Sequence, residues 1–266
     1  MKKTEFKNII VEIEDGILKI ILNRPKQLNA LSPDLIDELW TTLNTIPEYP
    51  TIRAVLITGN GKAFSAGGDI ELDLIPVSKM TPMEWRRYIK KFCAVIQMVY
   101  HLEKPVIAAI NGVTVGGGCD LAMACDIRIA STAAKFGHGY IKMGIISDMG
   151  GHYFLPRLIG AGKAKLFAFT GEIISAEEAE HIGLIDRLVP EGQFEEKVAE
   201  LTKKIAFGPT EAIILAKEAM HRSSAMNLEE SLEYSYNLQS ALLDSEDFKE
   251  GFTAFIENRK PVFKGK

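Results

Sequence analysis

Residues 104–130 read KPVIAAINGVTVGGGCDLAMACDIRIA, and this stretch decides the fold. Its opening, Pro105 to Asn111, is an apolar run of strand length, as expected for a strand buried on both faces. A turn then leads into Gly116-Gly117-Gly118, CDLAMAC (119–125) reads as a short buried helix, and Asp126 to Ala130 returns to a strand pattern. Strand, glycine turn, helix and strand in that order imply a largely parallel sheet with helices packed outside it.

Upstream, Arg53 to Thr58 (RAVLIT) is a second buried-strand run, ended by Gly59-Asn60-Gly61. NIIVEI (8–13) and ILKIILN (17–23) flank Glu14-Asp15-Gly16, which predicts a hairpin. Ser32-Pro33 opens a helix whose Leu35, Ile36, Leu39, Leu43 and Ile46 recur at helical spacing. Lys62 to Asp69 reads as a polar loop, followed by a helix from about Thr81 to His101. Beyond about residue 200 strand runs stop, and Pro209-Thr210, Asn227 and Ser245 are the expected starts of three helices. The expected organisation is an α/β core over residues 1–200 and a helical region over 201–266.

The 266 residues suffice for one sizeable core with a smaller appended unit, and 47% hydrophobic with 25% charged residues is ordinary globular composition. A net charge of -4, with no Lys/Arg stripe, leaves no electrostatic case for nucleic acid. Apolar stretches such as Pro105 to Ile110 are far too short for a bilayer, so no membrane partner is expected. MKKTEFK (1–7) has two lysines but no apolar signal core after it. Cys93, Cys119 and Cys125 are an odd, sparse set without a nearby His pair, which fits neither a disulfide framework nor a zinc site. A reducing cytoplasm is the expected location.

Two glycine-bearing turns, AFSAGGDI (63–70) and INGVTVGGGCDLAMACD (110–126), follow the two buried strands, where sites in α/β architecture lie. Glycines let a ligand approach the main-chain amides, and Gly117 sits where a helix begins, so its N–H lacks an intrahelical partner. Two such amides aimed at one point would form an oxyanion hole. Tight packing alone is the competing explanation for such turns. Neither is a nucleotide fingerprint, because the first lacks the Lys-Ser/Thr of a P-loop and GGG is not G-x-G-x-x-G.

These motifs, with NRPKQLNALS (23–32), FGHGYIKMGIISDMGG (136–151), LPRLIG (155–160), ISAEEAEHIGLIDRLVP (174–190) and FIENRKPVF (255–263), resemble the enoyl-CoA hydratase/isomerase (crotonase) superfamily in order and spacing over essentially the whole chain. The resemblance implies a ββα spiral core with a C-terminal helical trimerisation region, assembling as a homotrimer or dimer of trimers. It implies an acyl-CoA thioester as substrate, with no metal or separate cofactor. The oxyanion-hole amides would be Ala66 and Gly117. The CoA-contacting and substrate-binding set would be Lys26, Ala63, Phe64, Gly67, Gly68, Asp69, Ile70 and Gly116, with Phe255 and Lys260 completing it from the same or a neighbouring subunit. A solvated turn lysine at 26 and an N-cap at Asp69 are the plainer readings of those two residues.

Hydratases of the family use two glutamates on one water. Here the first position holds Asp120 and the second Tyr140, and a phenol is a poor base at neutral pH. Asp148, where hydratases carry a small residue, resembles the carboxylate with which the family's isomerases shuttle a proton between carbons, although it could also cap the helix that follows. The leading expectation is therefore an enoyl-CoA isomerase with Asp148 as proton shuttle. The alternative is an enoyl-CoA hydratase in which Asp120 positions water. An aryl-CoA dehalogenase ranks lower, because Cys93 stands where such enzymes use a histidine. A non-catalytic acyl-CoA binder ranks lower too.

Overall fold

Asp15 and Gly16 have φ of 50° and 74°, the paired positive values that let a two-residue turn follow the twist of its strands. The expected hairpin therefore forms, between β2 (Ile9–Glu14) and β3 (Ile17–Leu22). The computed structural model describes residues 2–266, and β1 (Lys2–Glu5) lies antiparallel outside β2.

The remaining strands are β4 (Ala54–Gly59), β5 (Ala63–Ser65), β6 (Val106–Ile110), β7 (Val113–Val115), β8 (Ile127–Ser131), β9 (Lys135–Gly137), β10 (Ile173–Ser175) and β11 (Arg187–Val189). They form two sheets, ordered β1-β2-β3-β4-β6-β8-β11 and β10-β9-β7-β5. From β3 onward the large sheet is parallel. The chain repeatedly leaves it for the small one, β4 to β5, β6 to β7 and β8 to β9, which is the ββα spiral expected.

The crossings are tight. A side chain on Gly112 would run into Lys62 O, while Asn111 ties the two crossings together by accepting from Gly59 N (3.2 Å) and donating to Gly61 O (2.8 Å). The structure differs from the expected polar loop at 62–69: Ala63, Phe64 and Ser65 are a fully buried strand of the small sheet. Three residues are too few for any period to show.

Helix α1 (Pro33–Thr45) begins as expected, with Ser32 Oγ accepting from Leu35 N (3.3 Å). It packs against α3 (Pro82–His101), whose Thr81 and Glu84 form a capping box. Ile70–Leu74 is a π-helical turn that runs into the three-residue α2 (Ile75–Val77). Helix α4 (Gly117–Ala124) is buried along all eight residues and lies against α3 and α5 (Gly151–Thr170), which is broken at Gly160. Helix α6 (Ala176–Ile182) precedes β11. Helix α7 (Phe194–Ala206) covers the other face of the large sheet, with Phe194 and Val198 packed on Leu56, Ile107 and Ile129.

The three C-terminal helices start where expected: α8 (Thr210–Ser223), α9 (Leu228–Leu242) and α10 (Glu246–Ile256). Arg53 pins their root, donating to Thr210 Oγ1 (2.7 Å) and Gly208 O (2.6 Å), and Lys217 pairs with Asp126 at 2.7 Å. No helix among the described residues is long and apolar enough to cross a membrane.

Candidate active site

The turn after β5 is held by the segment before α1. Leu31 N donates to Gly67 O (2.7 Å) and Asp69 N to Leu31 O (3.1 Å), so Gly68 is the middle of a parallel bridge. In that register Gly68 points its own N–H away from Leu31, and no protein acceptor takes it among the described residues. Ala66, by contrast, donates its N–H to Leu28 O at 3.0 Å. The expectation of Ala66 as an oxyanion donor is thus corrected: its proton is already used inside the protein, and the unspent amide is two residues on. Leu28 and Asn29 hold positive φ of 49° and 55°, and this left-handed pair presents Leu28 O to Ala66.

Gly116, at φ 54°, turns β7 into α4. Gly117 is the first residue of that helix, so its N–H has no partner within it. The two turns converge, since a methyl on Gly67 would stand 3.3 Å from Gly117 N.

Asp120 is fully buried one turn into α4. Its carboxylate is close to Tyr140 Oη (2.7 Å) and Ser147 Oγ (2.8 Å), both donors, and to His138 Nε2 (3.2 Å). It does not line the cavity, whereas Tyr140 and Ser147 do. Asp120, expected to act on substrate, is therefore set behind Tyr140. Burial first, then the Asp120 charge and hydrogen bond, push the Tyr140 phenol well above its ordinary value, so it stays neutral.

Asp148 lines the cavity. Burial pushes its carboxyl up to about 6, with the charges of Asp120 and Asp73 adding to that. Cys93, whose Sγ donates to Asp148 O (3.2 Å), lines the same wall and has its thiol pushed up by burial.

The same cavity holds a pair that the sequence reading missed. Asp73, 8% exposed, accepts from Tyr88 Oη at 2.6 Å through Oδ1. The π turn positions it: Leu74 N reaches back five residues to Asp69 O (2.8 Å). Burial raises the Asp73 carboxyl, and the neighbouring Asp69 charge adds to this while Tyr88 opposes it. Asp69 itself accepts from Glu71 N (3.0 Å) and Leu72 N (2.8 Å) and pairs with Arg24 at 2.7 Å. Burial works against its ionisation, but these donors prevail and hold it below the usual carboxylate value. The capping reading of Asp69 is the one its contacts support.

Asp73, Tyr88, Cys93, Tyr140, Ser147 and Asp148 line one cavity of about 1380 Å³. Gly67, Gly68, Asp69, Ile70, Gly116 and Gly117 line it, as does Lys26 at the rim. Ala63 and Phe64, expected on the CoA surface, are instead buried behind it, because β5 pairs into the small sheet. Phe255 and Lys260 are exposed in the C-terminal region and do not reach the cavity within this chain.

The sheet-crossing spiral brings two main-chain turns and the buried Asp148 carboxyl to one cavity. The family model for enoyl-CoA hydratase/isomerase matches residues 12–266, and the chain belongs to that family. Among its relatives, the short-chain-enoyl-CoA hydratase of Clostridium acetobutylicum is 38% identical over 96% of this chain and 97% of its own. The (E)-benzylidenesuccinyl-CoA hydratase of Thauera aromatica is 36% identical over 97% of this chain and 99% of its own. The crystal structure of an enoyl-CoA hydratase from Bacillus anthracis superposes with a TM-score of 0.92 at 39% identity, over 98% of this chain and all of that one.

Proposed function

We propose that the protein adds water to a 2-enoyl-CoA thioester, with Asp148 as its acid–base group. The observation that carries this reading is a cavity carboxyl held up to about 6 by burial, so that it exchanges a proton near neutral pH. That relatives over the whole length are named hydratases moves the reading from the double-bond shift first expected to hydration.

The chemistry balances on one carboxylate. Asp148 takes a proton from water as the water oxygen bonds to C3. The electrons of the C2=C3 bond move into the thioester carbonyl, and the Asp148 proton is delivered to C2. Donors aimed at the enolate oxygen are worth about 3–4 kcal/mol each in comparable sites. The Gly68 and Gly117 amides serve here, because both are unspent and the turns that carry them converge. Tyr140 gives its only proton to Asp120, which leaves its oxygen to accept from the attacking water and to position it. Lys26 at the rim offers a point charge to a CoA phosphate. The reaction calls for no metal or redox group, and CoA enters as part of the substrate.

One cavity carboxyl that takes and returns a proton also suits an isomerase. Liquid chromatography coupled to mass spectrometry, after separate incubation with 2-enoyl-CoA and 3-enoyl-CoA, decides between them. The hydratase gains one water on the 2-enoyl thioester. Conversion of the 3-enoyl thioester at unchanged mass, with no hydration, replaces it by the isomerase. Assembly as a trimer or dimer of trimers through the C-terminal helices belongs to the same proposal, supported by the exposed Leu228, Leu232, Tyr236 and Phe252.

A further inference from the structure

Hydration requires the cavity to supply two amides and one acid–base group. Asp73 and Tyr88 are left over from that chemistry. The cavity wall near them carries the apolar Leu74, Val77, Trp85, Ile89 and Phe92, beside the charged Asp69, Glu71 and Arg86. A carboxyl in such a wall is costly unless its oxygens are paired. Tyr88 satisfies Oδ1 at 2.6 Å, and no protein group donates to Oδ2 among the described residues. A plain alkyl chain packed here would leave that oxygen unpaired for as long as substrate is bound. A leucine on the same turn would receive an alkyl chain without that loss.

We infer that Asp73, held by Tyr88, recognises a hydroxyl carried on the acyl chain near its thioester end, so that the substrates are hydroxylated acyl-CoA thioesters in preference to plain alkyl ones. This rests on the acyl-CoA reading above. Three observations place and orient the contact. The π turn over Ile70–Leu74 sets Asp73 on the cavity wall, and such turns recur at functional sites. Tyr88 fixes the carboxyl plane from α3. Asp73 Oδ2 stands 2.6 Å from where a Cβ on Gly68 would lie, so it flanks the amide assigned to the thioester oxygen and reaches the first carbons of the chain, not its tail. A hydroxyl suits a carboxyl that burial holds up, since it can donate to the ionised form and accept from the neutral one.

The test is binding to the purified full-length protein by calorimetry, with 4-hydroxybutanoyl-CoA against pentanoyl-CoA, in which a methyl replaces the hydroxyl. The expected result is about tenfold tighter binding of the hydroxylated thioester, the size of a hydrogen bond to a charged group. Asp73→Leu should reverse the order. Equal or tighter binding of pentanoyl-CoA by the unaltered protein overturns the inference, as does a preference that survives in Asp73→Leu. Should that variant fail to fold, the comparison on the unaltered protein decides alone. Neither ligand has a double bond, so turnover plays no part. Binding of both without preference overturns only this inference, whereas binding of neither overturns the acyl-CoA reading with it.

Discussion

Asp148 carries expectations for rate and for stability. Asp148→Asn keeps the volume and removes the base, so kcat for hydration should fall by about 10²–10⁴, the usual contribution of a positioned acid–base group. Thioester binding should change little. With a carboxyl near 6 that acts ionised on water, kcat/KM should rise with pH through about 6 and level off above it. A profile flat from pH 5 to 8 contradicts this assignment. The folded-state value lies above the unfolded one, so whatever stability the neutral carboxyl contributes is present at low pH and is lost as pH rises through about 6. Asp148→Asn should accordingly stabilise the protein at pH 8 by about 1 kcal/mol, reduced from the full shift because solvent in the cavity screens the charge. Denaturant unfolding at pH 5 and pH 8 checks the sign. At this scale Asp120, Tyr140 and Asp148 were legible because they stand in contiguous, recognisable segments. Asp73 was not, since its placement depends on a π turn and on a tyrosine fifteen residues later. Which amide of Ala66-Gly67-Gly68 is unspent depends on register against Leu31, and sequence does not contain that register.

At the scale of elements, the turn into α4 leaves no room for side chains. A Cβ on Gly118 would lie 2.7 Å from Ser65 Cβ and closer still to Ser65 O. Gly118→Ala should therefore destabilise by about 1–3 kcal/mol, as overpacking does, or displace β5 with loss of activity. Thermal unfolding beside a rate measurement separates the two. Asp69→Ala removes both a cap and the buried partner of Arg24. It should cost about 3 kcal/mol, most of it from leaving Arg24 uncompensated, and Asp69→Asn should recover the capping share alone. The long helices, the hairpin and the parallel strands were readable from period and caps. The small sheet was not, since strands of three residues have no period and are defined by partners such as β7 and β9.

For the whole molecule, the spiral holds the cavity between a turn from each sheet crossing and the wall of α3, while the C-terminal helices leave apolar side chains uncovered. Light scattering should give three or six times the 29.4 kDa chain mass; a monomer at micromolar concentration contradicts the assembly proposed. The central claim is that this cavity hydrates an enoyl thioester through Asp148. The most direct measurement is mass-resolved turnover of a 2-enoyl-CoA by the protein and by Asp148→Asn side by side. The account expects gain of one water by the first and a rate at least about a hundredfold lower for the second. No mass gain, or equal rates for the two proteins, contradicts it.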